Sequence, residues 1–230
     1  MKKDKKNDQS EKNIVAVEEA LSKSEQFIER NQNLLIGVVV AIVLIIAGYI
    51  GYTRFILEPR EQQARSEMFM AEMYFEKDSL RLALEGDGAN LGFLDIISDF
   101  SMTKTANLAR YYAGISFLNL GEYEDAIEHL RKFRKRDQLL GAMAYGAMGD
   151  AYLQLDNKSE AAKQYRRAAN HQPNPLTSPA FLMKMGMVYE LKGEHKSALE
   201  AYQTIKTDFP ATNEGRNIEK YIARVKMAQK

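Results

Sequence analysis

From Leu34 to Tyr52 the chain reads LLIGVVVAIVLIIAGYIGY, without a charge; Arg30 and Arg54 are the first charged residues on either side. A helix rises about 1.5 Å per residue, so a run of this length crosses roughly the hydrocarbon core of a bilayer. Val and Ile would favour a strand in water, but an unbroken strand of this length is improbable and a spanning helix is the better expectation. A cleaved signal peptide needs a shorter apolar core followed by small residues. Here the run ends in Gly48-Tyr49-Ile50-Gly51-Tyr52 and a long polar stretch precedes it. The expectation is an uncleaved anchor over residues 34–53, with Tyr49 and Tyr52 at one membrane interface.

Charge is flat along the chain. Residues 1–33 hold 7 Lys/Arg and 7 Asp/Glu, the remainder 25 and 24. A nucleic-acid binder needs a basic excess, so that class is set aside. No cysteine is present, which excludes disulfides, thiolate catalysis and Cys-ligated zinc. His129, His171 and His195 are the only histidines and none sits in an HExxH-like pattern. Neither a catalytic set nor a metal, cofactor or small-molecule site is expected.

The tail, residues 1–33, begins with the charged MKKDKKNDQSEK. Ile14, Val17, Leu21 and Ile28 then mark an amphipathic helix, read either as a partner-docking element or as an extension of the anchor. Flanking Lys and Arg do not settle orientation. Beyond the anchor, Pro59 suits the first turn of a new helix. Met68, Phe69, Met70, Met73, Tyr74 and Phe75 give that helix a wide apolar face, GDGAN (86–90) reads as a loop, Leu91–Phe100 as a short helix, and Thr103 or Thr105 as a cap for the next.

From residue 107 the chain repeats itself. Stretches starting at Gly114, Gly149 and Gly186 align at offsets of 35 and 37 residues. Each has an aromatic three residues on (Phe117, Tyr152, Tyr189), a turn residue (Gly121, Asp156, Gly193), an alanine (Ala126, Ala161, Ala198) and a large residue (Leu130, Tyr165, Tyr202). Gly and Ala permit two antiparallel helices to approach closely, the large residues are expected between adjacent hairpins, and the turn needs a left-handed residue. Pro173 and Pro210 close the second and third units, while Gln138 stands where the first should have Pro.

This pattern resembles the tetratricopeptide repeat, whose period is about 34 residues. The resemblance implies an all-α solenoid of helical hairpins preceded by one transmembrane helix. Residues 107–210 would form three repeats, 54–106 a degenerate first one, and 211–230 a helix covering the open end. FLDIISDFSMTKTANLARYYAG in the first segment parallels YQTIKTDFPATNEGRNIEKYIA near the end. NPLTSP (174–179) is a longer loop or a hinge. Tail, single anchor and repeat domain together resemble the YfgM-like family. That resemblance implies a bitopic protein of the bacterial inner membrane, N-terminus cytoplasmic and repeats periplasmic, with Sec translocon subunits and periplasmic chaperones as partners. A scaffold for cell-envelope assembly is the alternative.

In this repeat family the first helix of each unit lines the concave face. Tyr111, Ile115, Asn119, Asp150, Gln154, Met183, Met187 and Glu190 are therefore the candidate protein-binding residues, either exposed in the groove or packed between hairpins. The run RKFRKR offers a second surface: Arg131, Lys132, Arg134, Lys135 and Arg136 either dock an acidic partner or lipid headgroups, or simply complement a helix C-terminus.

Overall fold

The computed structural model describes residues 28–228. The amphipathic pattern over residues 13–27 and the charged start of the tail lie outside them. Two compact units divide the chain at Glu58/Pro59.

In the first unit the apolar run is one helix, α1 (Gln32–Tyr52), with no buried residue. By length and composition it is apolar enough to cross a membrane. A π-helical turn, Thr53–Leu57, follows.

The second unit opens with α2 (Glu58–Glu76). Pro59 stands in its first turn, as expected. The remaining helices are α3 (Leu80–Glu85), α4 (Phe93–Asp99), α5 (Lys104–Leu120), α6 (Tyr123–Lys132), α7 (Gln138–Gln154), α8 (Lys158–Asn170), α9 (Ser178–Leu191), α10 (His195–Asp208), α11 (Asn213–Asn217) and α12 (Glu219–Ala228). Three hairpins emerge: α5/α6, α7/α8 and α9/α10. Glu61 on α2 reaches the start of α5, accepting from Lys104 N at 2.6 Å and Thr105 Oγ1 at 2.9 Å.

Each hairpin turns on a left-handed residue: Gly121 at φ 82°, Asp156 at φ 56° and Gly193 at φ 73°. Only Asp156 carries a side chain there, a position that Asp tolerates better than most residues. Ala126, Ala161 and Ala198 are fully buried. A Cβ at Gly114 would meet Leu130 Cγ at 2.5 Å, one at Gly149 Tyr165 Cε1 at 2.6 Å, and one at Gly186 Tyr202 Cε1 at 2.3 Å. The large residue of each second helix therefore sits on the glycine of its own hairpin, not chiefly between hairpins as the sequence suggested. Its outer edge still reaches onward: Lys184 Nζ stands 5.6 Å from the Tyr165 ring centroid and Tyr221 5.7 Å from that of Tyr202.

The buried apolar residues form three clusters. One joins α2–α5 through Met68, Leu84, Phe93, Ile96 and Phe117. A small one holds Leu130, Phe133, Ala144, Ala147 and Met148. The largest runs from Ala142 to Val225. Half-buried Leu118 and Tyr145 each pack against two of them, so the stack is continuous. NPLTSP is pinned in place. Asn174 Oδ1 accepts from Leu176 N at 2.9 Å and Thr177 N at 3.0 Å, and Ser178 Oγ donates to Ala169 O at 2.7 Å. These bonds describe a longer, fixed loop.

Candidate functional site

The first helices α5, α7 and α9 carry the sequence-predicted groove residues, and the structure sorts these by what each touches. Asn119, Gln154 and Met187 are exposed. Tyr111 and Ile115 are half-buried against Leu130 and Phe133, with the Tyr111 ring 5.5 Å from that of Phe133. Met183 is half-buried on the large cluster. Burial, and then the neighbouring Tyr112, pushes the Tyr111 phenol above its ordinary pKa.

Asp150 and Glu190 are engaged in ties between helices. Asp150 accepts from Tyr165 OH at 2.6 Å within its own hairpin and from Lys184 Nζ at 2.7 Å on the next first helix. Glu190 accepts from Tyr202 OH at 2.6 Å and Arg224 Nη2 at 2.6 Å. In both cases the cation stands 34 residues beyond the acid. Both phenols are held above their ordinary range, first by burial and then by the carboxylate that accepts their proton. Burial works against ionisation of Glu190, but bonds from Arg224 and Tyr202 win and hold its carboxyl low.

Sequence reasoning missed Leu139, Met143 and Leu191, which are exposed on the same helices. Leu191 was within reach: it stands five residues after Gly186, the offset that selects Asn119 and Gln154 in the other two units. The exposed face thus mixes Met143, Met187 and Leu191 with amides. Adaptable thioethers beside amides suit a varied apolar segment better than a charged tail.

The basic run divides. Lys132 pairs with Glu128 at 2.6 Å and Arg131 donates to Tyr152 OH at 3.0 Å. Lys135 turns back onto the end of α6. Its ammonium donates to the carbonyls of Leu130 and Phe133 and lies 5.2 Å from the Tyr145 ring centroid. That is the helix-end arrangement in which a cation is favoured by the dipole. Burial, and then the charge of Arg167, depresses its pKa to about 8. Arg134 and Arg136 remain exposed.

The repeat geometry now has left-handed turns, glycine–large-residue crossings and a 34-residue tie. Family models for the tetratricopeptide repeat match residues 111–177 and 180–212. These hairpins are tetratricopeptide repeats. Solved structures agree at the level of fold. MamA protein is 21% identical with a TM-score of 0.51, over 72% of this chain and 88% of that one. The nearly identical TPR-like repeats of a Podosopora anserina putative kinesin light chain are 14% identical with a TM-score of 0.54, over 74% and 87%. No curated protein matches the sequence. Tetratricopeptide repeats are protein–protein interaction modules. Among the described residues, no group of three or more His, Asp or Glu is placed to hold a metal ion.

Proposed function

We propose that this chain is a non-enzymatic, membrane-anchored protein-binding module that accompanies the Sec translocon and engages periplasmic chaperones or emerging segments. In this reading the tail is cytoplasmic, α1 spans the inner membrane and the repeats are periplasmic. The observation that carries the binding role is the exposed set Met143, Met187, Leu191, Asn119 and Gln154 on the first helices of tetratricopeptide repeats. The translocon assignment rests on layout: a polar tail, one apolar helix and a repeat domain, in the order of the YfgM-like family.

The reading treats residues 54–106 as a degenerate first repeat. In support, Thr103 and Thr212 make the same cap. Thr103 Oγ1 accepts from Ala106 N at 3.0 Å and donates to Phe100 O at 2.7 Å. Thr212 Oγ1 accepts from Gly215 N at 3.1 Å and donates to Phe209 O at 2.8 Å. It treats residues 211–230 as the end of the stack, where Ile222 and Val225 are buried on the last hairpin and Arg224 holds Glu190.

Affinity isolation of the full chain from mild detergent tests the proposal. Translocon channel subunits should co-purify, and Met187→Ser with Leu191→Ser should weaken chaperone or client capture while the helical spectrum stays unchanged. Recovery of envelope-assembly machinery in place of channel subunits would overturn the translocon assignment and favour a scaffold. Protease added to spheroplasts should digest residues 54–230 and spare the tail.

A further inference from the structure

The α6–α7 connection builds a recess that the first-helix face does not use. A cavity of about 260 Å³ lies where the start of α5 meets residues 133–137 and the start of α7. Leu108, Phe133 and Leu140 give it apolar walls, and Lys104, Arg134 and Arg136 line it with charge. Small-molecule pockets run from about 300 to 1,000 Å³, so this one suits a single inserted side chain better than a whole ligand.

The recess is fixed before anything binds. Arg134 N donates to Asn107 Oδ1 at 2.7 Å, Asn107 Nδ2 returns a bond to Arg134 O, and Gln172 Nε2 holds Arg136 O at 3.2 Å. Phe133 is buried, and Lys135 is tied back to the end of α6. The arginines at 134 and 136 therefore line the recess while Lys135 between them is held elsewhere.

Its three cations outnumber its one acid. Lys104, Arg134 and Arg136 make no ion pair among the described residues, whereas Lys184 on α9 and Arg224 on α12 are each paired with an acid. The one acid lining the recess, Asp137, uses a carboxylate oxygen to cap α7, accepting from Leu139 N at 2.9 Å and Leu140 N at 2.8 Å. Arg110 stands near enough that, after burial, Arg134 further lowers its pKa. Unpaired cations around an apolar floor call for an anionic ligand that also has something apolar to insert.

The geometry points to this recess as the seat of an acidic peptide segment of a protein partner. One large apolar side chain rests on Leu108, Phe133 and Leu140, and flanking carboxylates meet Lys104, Arg134 and Arg136. A flat anionic surface would meet the cations but leave the recessed floor empty, which is why a peptide is favoured over a bilayer. This inference rests on the protein-binding reading, but neither on the translocon nor on Met187 and its neighbours.

The test uses the full chain in nonionic micelles and a short fluorescent peptide with a central phenylalanine flanked by aspartates and glutamates. Its anisotropy should rise on binding and fall in moderate salt, since exposed ion pairs are screened. Arg134→Glu with Arg136→Glu should weaken binding by roughly tenfold or more. Arg131→Gln with Lys132→Gln should leave it within about twofold, because those two charges lie outside the recess. Changing the peptide's phenylalanine to serine should also weaken binding. All substituted residues are exposed, so an unchanged thermal melt is expected and checks the fold. No binding by the wild-type chain, equal loss from both double variants, or indifference to the peptide's phenylalanine would each overturn the proposal. So would equal competition by short-chain phosphatidylglycerol, which would assign the cations to headgroups. Loss of this peptide with chaperone capture intact would separate the recess from the first-helix face.

Discussion

The first hairpin, α5/α6, and the two after it solve the same packing problem with different chemistry. In α7/α8 and α9/α10 the large residue on the glycine is tyrosine, and its hydroxyl donates to an acid on the first helix. That acid in turn holds a cation on a helix further along the stack, Lys184 on α9 for Asp150 and Arg224 on α12 for Glu190. In α5/α6 the large residue is Leu130, which has no hydroxyl, and the first helix offers Ile115 and Leu118 where the others have Asp150 and Glu190. No acid is needed there, and none is present. The later hairpins are joined by acid–cation ties; the first meets the second through the apolar contacts of Tyr111, Ile115 and Phe133 and the bond from Arg131 to Tyr152 OH, with no acid–cation pair between them among the described residues. The consequence is electrostatic: Lys184 and Arg224 are each paired with an acid, while Arg134 and Arg136 are left open.

The largest effect should come from emptying a crossing. Tyr202 is fully buried on Gly186, so Tyr202→Ala should cost about 3–5 kcal/mol, measured as a shift in urea unfolding of the full chain in nonionic micelles. Leu130→Ala, losing a smaller side chain and no hydrogen bond, should fall about 2–5 kcal/mol below wild type but less than Tyr202→Ala. A larger loss at Leu130 would mean that the apolar hairpin is the one on which the stack depends. Overfilling comes next. Ala161→Leu places three extra carbons where no side chain is exposed and should cost on the order of 1–3 kcal/mol, and Ala126 and Ala198 should behave alike. Indifference at all three would separate the alanines from the helix crossings.

How far this could be read in advance depended on the range of the interaction. The crossings were legible because close approach needs Gly and Ala at fixed spacing, and a turn needs a left-handed residue; both are local demands. The tyrosine ties were not, because Tyr165 and Asp150 come together only once α7 and α8 fold back on each other. The same limit explains the groove residues. Periodicity put Tyr111 and Ile115 on the correct helix, but their burial depends on Phe133, which lies beyond α6. RKFRKR looked like one charge feature in the sequence. The α6 end splits it, because Lys135 turns back to the carbonyls while Arg134 and Arg136 do not.

A smaller effect isolates the hydroxyl. Tyr165→Phe keeps the ring on Gly149 and removes only the bond to Asp150, which retains Lys184 and so is not stranded. The expected loss is about 0.5–1.5 kcal/mol, the net worth of one hydrogen bond. A loss several times larger would show that Lys184 cannot hold the acid alone, and that the tie works as a unit.

The smallest effect belongs to the link between hairpins. Asp150 and Lys184 are partly exposed, with side chains 37% and 45% accessible, so water and salt already screen the pair. A double-mutant cycle with Asp150→Asn and Lys184→Met should give a coupling of about 0.2–1 kcal/mol that shrinks as salt is added. Since Tyr165 donates to the same carboxylate, the cycle should be repeated on Tyr165→Phe. If coupling grows there, the two donors share one acceptor, and the cation compensates for the missing hydroxyl. If coupling vanishes, it is the Tyr165 hydroxyl that positions the carboxylate for the lysine, and the polar tie begins inside the hairpin and not between hairpins. Either result distinguishes the later hairpins from the first, where Leu130 offers the next first helix neither a hydroxyl nor an aromatic face.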